Sequence, residues 1–359
     1  MCSKCVLTSA TPGITFDGNG VCTYCSTYTP MKVEGEEQLV ATLNRFKNRG
    51  ERYDCMVCIS GGRDSTYALW RCVHDWGMKV LAVNYKNPFT SEQARKNMRS
   101  AVEQLKVDFY DWEFPNDVHR KATKKALKAW SHHPSSTLIP IACAHCKTMW
   151  PTLYSIARQN KIPLIVVGTN PLETASFKKA GLGGARYYHK LSHLPRIIRK
   201  SLGELIKNPR YLTQCSWATI FRMYLFAGHN SPYLRRRFGD ITVLRLFDYL
   251  RWNEREVVST ITQNLGWEKA PETESSWRFD CELDYVRRLM YGATVGVTEL
   301  RDLFSKMIRE GAMTRSEALS RLATEDVVPE ALADRVLDEL GMKLTDLNLP
   351  GPVVEPPKR

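Results

Sequence analysis

Cys2-x-x-Cys5 and Cys22-x-x-Cys25 set four thiols in two tight pairs with sixteen residues between them. Each pair can offer two thiolates to one tetrahedral ion, and the separation suits a four-cysteine zinc ribbon. The Gly18-Asn19-Gly20 turn can return the second pair to the first. Thirty residues cannot bury a core of their own, so Zn2+ would supply their folding energy. Unrelated free thiols or a local disulfide are the plainer alternatives. A third pair, Cys143-Ala144-His145-Cys146, stands alone and needs ligands from afar, with Cys281 and Cys215 as candidates. Three cysteines around a [4Fe–4S] cluster would leave one iron open to sulfide or substrate. A second zinc site or a redox dithiol are the alternatives, and His145 is a fourth ligand or a surface histidine. Cys55-x-x-Cys58 differs, because residues i and i+3 of a strand point to opposite faces, which assigns this pair to core packing. Cys72, inside a helix pattern, reads the same way.

Ser60-Gly61-Gly62-Arg63-Asp64-Ser65 offers a different chemistry. Paired glycines let backbone approach an anion closely and take positive φ. The helix that follows presents unpaired N–H groups and a positive dipole end. Ser60, Ser65 and Thr66 add hydroxyls. A phosphate loop fits these features better than a plain Gly-rich turn with a helix cap.

These residues need elements to hold them. Residues 53–59 form a short apolar run that enters the glycine loop as a buried strand. A helix over 64–76 stops at Gly77. Strands at 79–84, 107–114 and 162–167 alternate with helices at 91–105, 118–130 and 148–159. The alternation predicts an α/β, doubly wound parallel sheet over residues 50–170. Ligands of such sheets sit beyond the carboxyl ends of the strands, where Ser60 and Gly168 both begin loops. No strand is expected after Ala180. Helices are expected near 195–207, 215–227, 253–265, 297–310, 314–323 and 329–341, with Thr314 and Glu317 as a capping box.

The loop residues Ser60, Gly61, Gly62, Asp64 and Ser65 resemble, at every fixed position, the SGGxDS signature of the PP-loop ATP pyrophosphatase superfamily; Arg63 stands where many members carry lysine. The resemblance implies a sheet of the adenine nucleotide alpha-hydrolase-like type and cleavage of ATP to AMP and pyrophosphate. It implies that residues 60–66, from Ser60 through Arg63 to Thr66, surround the leaving pyrophosphate. Asp64 is then the nearest ligand for Mg2+, and Asn84 and Gly168 line the nucleotide site. Glu173 and Thr174 face ATP or substrate, or simply complement a helix dipole. The GxxxxGK[ST] pattern of the Walker loop is absent.

Two branches of the superfamily share further residues with the chain. Cys2, Cys5, Pro12–Asp17, Gly20-Val21-Cys22, Cys25, Tyr53-Asp54-Cys55, Lys161–Ile165 with Gly168-Thr169-Asn170, Leu265-Gly266-Trp267 and Met313–Leu319 resemble the N-acetyl sugar amidotransferases of lipopolysaccharide O-antigen biosynthesis. That likeness covers about residues 1–180 and 240–320 and implies conversion of a sugar acetamido group to an acetamidino group. ATP adenylates the amide oxygen, and ammonia from a separate glutaminase displaces AMP. Cys143-x-x-Cys146 with one later cysteine departs from those enzymes and resembles the PP-loop sulfurtransferases that thiolate transfer RNA. This second likeness implies Cys143, Cys146 and Cys281 at a [4Fe–4S] site, and a sulfur donor protein. Cys281 is preferred to Cys215, because Trp277-Arg278-Phe279-Asp280-Cys281 follows Leu-Gly-Trp as an Asp-Cys element does in related PP-loop proteins. A third reading is a non-catalytic zinc-ribbon adaptor that senses ATP.

The chain has 359 residues, 43% hydrophobic and 25% charged, which excludes a largely disordered protein. No apolar run approaches a membrane span, no secretion signal opens the sequence, and eleven cysteines, an odd number with eight of them in CxxC pairs, argue against a disulfide framework. A cytoplasmic location, and a homodimer, are the corresponding expectations. The net charge of +13 is concentrated, since residues 186–237 hold eleven Lys/Arg and one acid, Glu204, interleaved with tyrosines, Trp217, Phe221 and Phe226. Such a segment suits an anionic acceptor, a nucleotide sugar or RNA, or an anionic membrane surface. The expected organisation is a knuckle (1–30), a PP-loop domain (31–185), a basic helical acceptor region (186–350) and a loose tail (351–359).

Overall fold

The computed structural model describes residues 1–177, 194–214 and 231–350, with Arg222, Phe226, Gly228 and His229. After α1 (Glu36–Asn44), the short apolar runs become strands and the amphipathic runs between them helices. The order is β1 (Cys55–Cys58), α2 (Arg63–Trp70), β2 (Val80–Tyr85), α3 (Glu92–Leu105), β3 (Asp108–Trp112), α4 (Val118–His132), α5 (Trp150–Gln159) and β4 (Leu164–Val167). Ser91 caps α3, its hydroxyl accepting from Ala94 N at 3.2 Å.

The sheet runs β3-β2-β1-β4-β5 with every pairing parallel, β5 being Thr242–Arg245. β1 pairs with both β2 and β4, so the strand order reverses there and a crevice opens at the carboxyl ends of β1 and β4. Cys55 and Val57 face a core shared with α2 and α3, whereas Met56 and Cys58 face α5 on the other side. The chain is thus α/β and doubly wound, with the glycine loop at the end of the central strand, as the PP-loop resemblance implies.

β5 corrects the expectation that no strand follows Ala180. Its run, Thr242-Val243-Leu244-Arg245, is short and ends in a cation, and as an edge strand it pairs on one side only. An edge strand needs no continuous apolar run, so its signal was lost among charged neighbours.

Beyond the first half come α6 (Leu194–Lys207), α7 (Glu254–Leu265), α8 (Leu283–Val295), α9 (Glu299–Arg309), α10 (Arg315–Glu325) and α11 (Glu330–Glu339). α8 was not foreseen, since the Arg287-Arg288 pair interrupts its apolar stripe. Both arginines bond inward, Arg287 to Glu299 at 2.7 Å and Arg288 to Glu325 O at 2.7 Å. Thr314 caps α10 by accepting from Glu317 N at 3.2 Å. The helix expected near 215–227, Cys215 and the tail 351–359 lie outside the described residues. Among those described, no helix is long and apolar enough to cross a membrane.

Candidate functional site

The loop between β1 and α2 is held by its own hydroxyls and by two neighbouring elements. Ser60 N donates to Ser65 Oγ at 3.1 Å, and Thr66 Oγ1 donates to Gly62 O at 2.9 Å. Gly61 takes φ +79°, and a Cβ there would lie 2.1 Å from Ala94 O, so only glycine fits. Its carbonyl accepts from Trp267 Nε1 at 3.0 Å and Asn97 Nδ2 at 3.3 Å. Gly168, at the end of β4, passes so close that a Cβ would lie 2.3 Å from Asp64 O. The two strand ends are therefore packed backbone to backbone.

Above the loop lies a cavity of about 510 Å3, in the size range of small-molecule sites. Of the residues expected around a nucleotide, Ser60, Gly62, Arg63, Asp64, Ser65, Asn84 and Gly168 line it. Gly61 and Thr66 stand behind and shape the loop instead. Asn84 also donates to Asp111 Oδ1 at 2.9 Å. Glu173 and Thr174 join the lining, as do Cys146 and Cys281.

Arg63 departs from the expected role of a free phosphate ligand. Its guanidinium is 97% buried and bonded to Glu254 Oε1 at 2.6 Å, Ser276 Oγ at 2.7 Å and Glu173 Oε1 at 3.3 Å, over the Trp252 ring. A cation already neutralised by two carboxylates braces the loop and adds little free positive charge for a phosphate. Arg321 completes the network through Glu254 Oε2 at 2.7 Å. Burial opposes ionisation of Glu254, but Arg63 and Arg321 outweigh it and hold the carboxyl down to about 2.

Asp64 accepts from Trp252 Nε1 at 2.8 Å. Burial pushes its carboxyl up to about 7, against the pull of Arg63 and with Glu173 adding to the rise. Asp280 is a second carboxylate on the cavity that the sequence reading passed over, its Oδ2 lying 3.0 Å from where a Gly62 Cβ would be. Burial raises it as well, while a hydrogen bond from Ser60 favours its charged form. Its signal was present as the neighbour of Cys281. Mg2+ is held by one or two carboxylates plus phosphate oxygens, and Asp64 and Asp280 fit that donor set. Glu254, Ser276 and Arg278 had no local signal, being charged or polar residues brought in from far along the chain, Glu254 at the start of α7 and Ser276 and Arg278 in the loop between α7 and α8.

Cys281 bridges to Thr90 across the cavity edge, and Asn87 Nδ2 donates to its sulfur at 3.3 Å. Burial pushes the Cys146 thiol up to about 12, and burial together with the charges of Cys146 and Cys143 also raises Cys281 well above the ordinary thiol value. Cys146 and Cys281 thus open on the cavity, but among the described residues only the four N-terminal cysteines, and not Cys143, Cys146 and Cys281, are gathered closely enough to hold a single metal ion. His145 is not a surface residue. It is buried and stacks on His119 with ring centroids 5.3 Å apart.

The N-terminal cysteines are gathered tightly. The Sγ atoms of Cys2, Cys5, Cys22 and Cys25 all lie within 4.8 Å of one another. Backbone N–H groups of Lys4, Cys5 and Cys22 point at Cys2 Sγ at 3.4, 3.5 and 3.2 Å. Four sulfurs in one buried cluster fit Zn2+. The knuckle is docked rather than free, because Arg315 donates to Cys5 O and Cys2 O at 3.1 and 3.2 Å, and Arg301 to Val6 O at 3.2 Å. Cys55 and Cys72 are both buried in one core cluster, as expected for packing residues.

No family model matches the sequence. An uncharacterized protein of Methanocaldococcus jannaschii is 30% identical over 111 residues, which is 30% of this chain and 40% of that protein. The chain therefore spans about two fifths of the length of the curated relative it matches. Among solved structures, an NMN synthetase from Francisella tularensis is similar at 14% identity, with a TM-score of 0.28, 58% of this chain and 96% of the other covered. An NH3-dependent NAD synthetase from Campylobacter jejuni is similar at 15% identity and the same TM-score of 0.28, again over 58% and 96%. At those TM-scores neither likeness bears on what this chain does.

Proposed function

We propose that the chain is an ATP-dependent, AMP- and pyrophosphate-forming amidotransferase that acts on the acetamido group of a sugar in surface polysaccharide biosynthesis. The observation that carries this reading is the SGGRDS loop at the carboxyl end of the central strand, opening on a cavity lined by three carboxylates, Asp64, Glu173 and Asp280. In the reaction the amide oxygen attacks the α-phosphorus of ATP, and the bond to the bridging oxygen breaks to release pyrophosphate. Ammonia then adds to the activated carbon, AMP leaves, and a proton passes to solvent. The loop N–H groups and the Ser60 and Ser65 hydroxyls bind the departing pyrophosphate, as helix N-termini bind anions. Asp64 and Asp280 would hold Mg2+, which neutralises triphosphate charge when bound. Cys2, Cys5, Cys22 and Cys25 would hold a structural Zn2+.

A second reading, thiolation of RNA or a small molecule, is favoured by Cys146 and Cys281 on the wall of the same cavity. A [4Fe–4S] cluster held there with Cys143 would supply an open iron site. Product analysis separates the two readings. Protein given ATP, Mg2+, ammonium and an acetamido sugar phosphate forms AMP and pyrophosphate under the first, and Asp64→Asn abolishes both. Dependence on sulfide in place of ammonium, with an absorption band near roughly 400 nm after anaerobic purification that is lost in Cys281→Ser, selects the second.

A further inference from the structure

Beside the nucleotide cavity lies a second chamber of about 630 Å3, and the two share the wall made by Asn84, Tyr85, Asn87 and Thr90. The reaction described above makes no use of it. Its charges are uneven. Lys86 is paired with Asp111 at 3.8 Å, and Arg120 with Asp117 at 3.6 Å and Glu339 at 3.5 Å. Arg95 and Arg99 also line the chamber, four residues apart on the same side of α3 and exposed. Neither guanidinium makes a hydrogen bond or ion pair among the described residues. Two unengaged guanidinium forks at that spacing match a phosphoryl group. Glu113, Phe109 and Phe114 also line the chamber and suit hydroxyl groups and the apolar face of a ring.

His119 supplies an independent observation. It lines the chamber yet is only 3% exposed, and its Nε2 has no partner, while Nδ1 lies 2.6 Å from the Tyr85 hydroxyl. The ring is packed against Tyr85, Phe89 and His145 and so forms a fixed polar part of the chamber wall.

We propose that the second chamber binds the acceptor as a small phosphorylated, hydroxyl-bearing molecule, its phosphoryl group held by Arg95 and Arg99. The inference rests on the nucleotide reading of the first cavity, because the shared wall sets an acceptor held here next to a nucleotide held there. A volume of about 630 Å3 suits a sugar phosphate or a nucleotide sugar better than a strand of RNA. Arg95 and Arg99 make and break no bonds; they bind and position.

The test is calorimetric titration of the full chain with saturating non-hydrolysable ATP analogue, using N-acetylglucosamine, N-acetylglucosamine 1-phosphate, UDP-N-acetylglucosamine and a short RNA as probes. One of the two phosphorylated sugars binds at least ~10-fold tighter than the unphosphorylated sugar, the tighter of the two identifying the source of the phosphate. The Arg95→Gln/Arg99→Gln double variant loses at least ~10-fold of that affinity. It keeps the wild-type melting temperature and ATP-analogue affinity. Equal binding of sugar with and without phosphate, an unchanged affinity in the double variant, preference for RNA, or no sugar binding while the ATP analogue binds, overturns the inference alone. Failure of the wild type to bind the ATP analogue overturns the nucleotide reading and the inference with it.

Discussion

Replacing Glu254 by alanine removes the carboxylate on which the buried Arg63, at 2.6 Å, and the partly buried Arg321, at 2.7 Å, converge. The fall of its pKa from 4.5 to about 2 corresponds to about 3 kcal/mol of stabilisation at neutral pH. Breaking a buried pair by removing one partner costs about 3–5 kcal/mol in general. The lower end applies here, because Arg63 retains Glu173 at 3.3 Å and Asp64 at 3.6 Å. Urea unfolding at pH 7 therefore gives Glu254→Ala about 3 kcal/mol less stability than wild type, with Glu254→Gln between them because its amide oxygen still accepts. A depressed carboxylate contributes fully above its unfolded value of 4.5 and loses that contribution as pH falls toward 2. The gap between wild type and Glu254→Ala narrows over the same window. A loss under about 0.5 kcal/mol at pH 7, or a gap that does not shrink on acidification, would refute the claim that this carboxylate anchors Arg63 and the loop.

Gly168→Ala sets a methyl group 2.3 Å from Asp64 O, so it lowers stability by about 1–3 kcal/mol and weakens ATP-analogue binding; wild-type values in both assays would show that the strand ends are not packed as described. Metal analysis finds about one Zn2+ per chain, and Cys22→Ser loses it together with a lower melting temperature, since Arg301 and Arg315 tie the knuckle to α9 and α10. A metal-free wild type with an unchanged melt on chelator treatment would remove the zinc assignment. Burial holds His119 down to about 3 from 6.5, with the charges of His145 and Arg120 adding to it, so the unfolded ring takes a proton first as pH falls through that interval. Stability then drops by up to about 1.4 kcal/mol per pH unit, and His119→Gln flattens the slope; an unaltered slope would show that another group carries it.

Sequence reading recovered what local pattern encodes. The glycine loop, four strands and the helices between them follow from short apolar runs broken by Gly and from amphipathic runs between them, α3 alone among these helices being capped by a Ser. Cys55 and Cys58 fall on opposite sheet faces because strand geometry fixes it. The pairs Cys2/Cys5 and Cys22/Cys25 were legible because ligand spacing is local, and the fold closes them into one cluster. Long-range polar structure was not legible. Arg63 reads as a phosphate ligand until Glu254 and Ser276, about 190 and 210 residues further on, are seen on its guanidinium. Asp280 was overlooked although it adjoins Cys281, since its approach to Gly62 is made by the fold and not by the local sequence. α8 was hidden by Arg287 and Arg288, whose partners Glu299 and Glu325 come from other helices, and β5 by its shortness as an edge strand.

Hydrogen–deuterium exchange with and without a non-hydrolysable ATP analogue, and with pyrophosphate alone, tests the central claim most directly. The account predicts that the analogue protects the amides of residues 60–66 and the Gly168–Thr174 turn, and that pyrophosphate alone protects the 60–66 segment. Protection elsewhere with residues 60–66 unchanged, or no protection by either ligand at saturating concentration, would contradict the assignment of this loop as the nucleotide site.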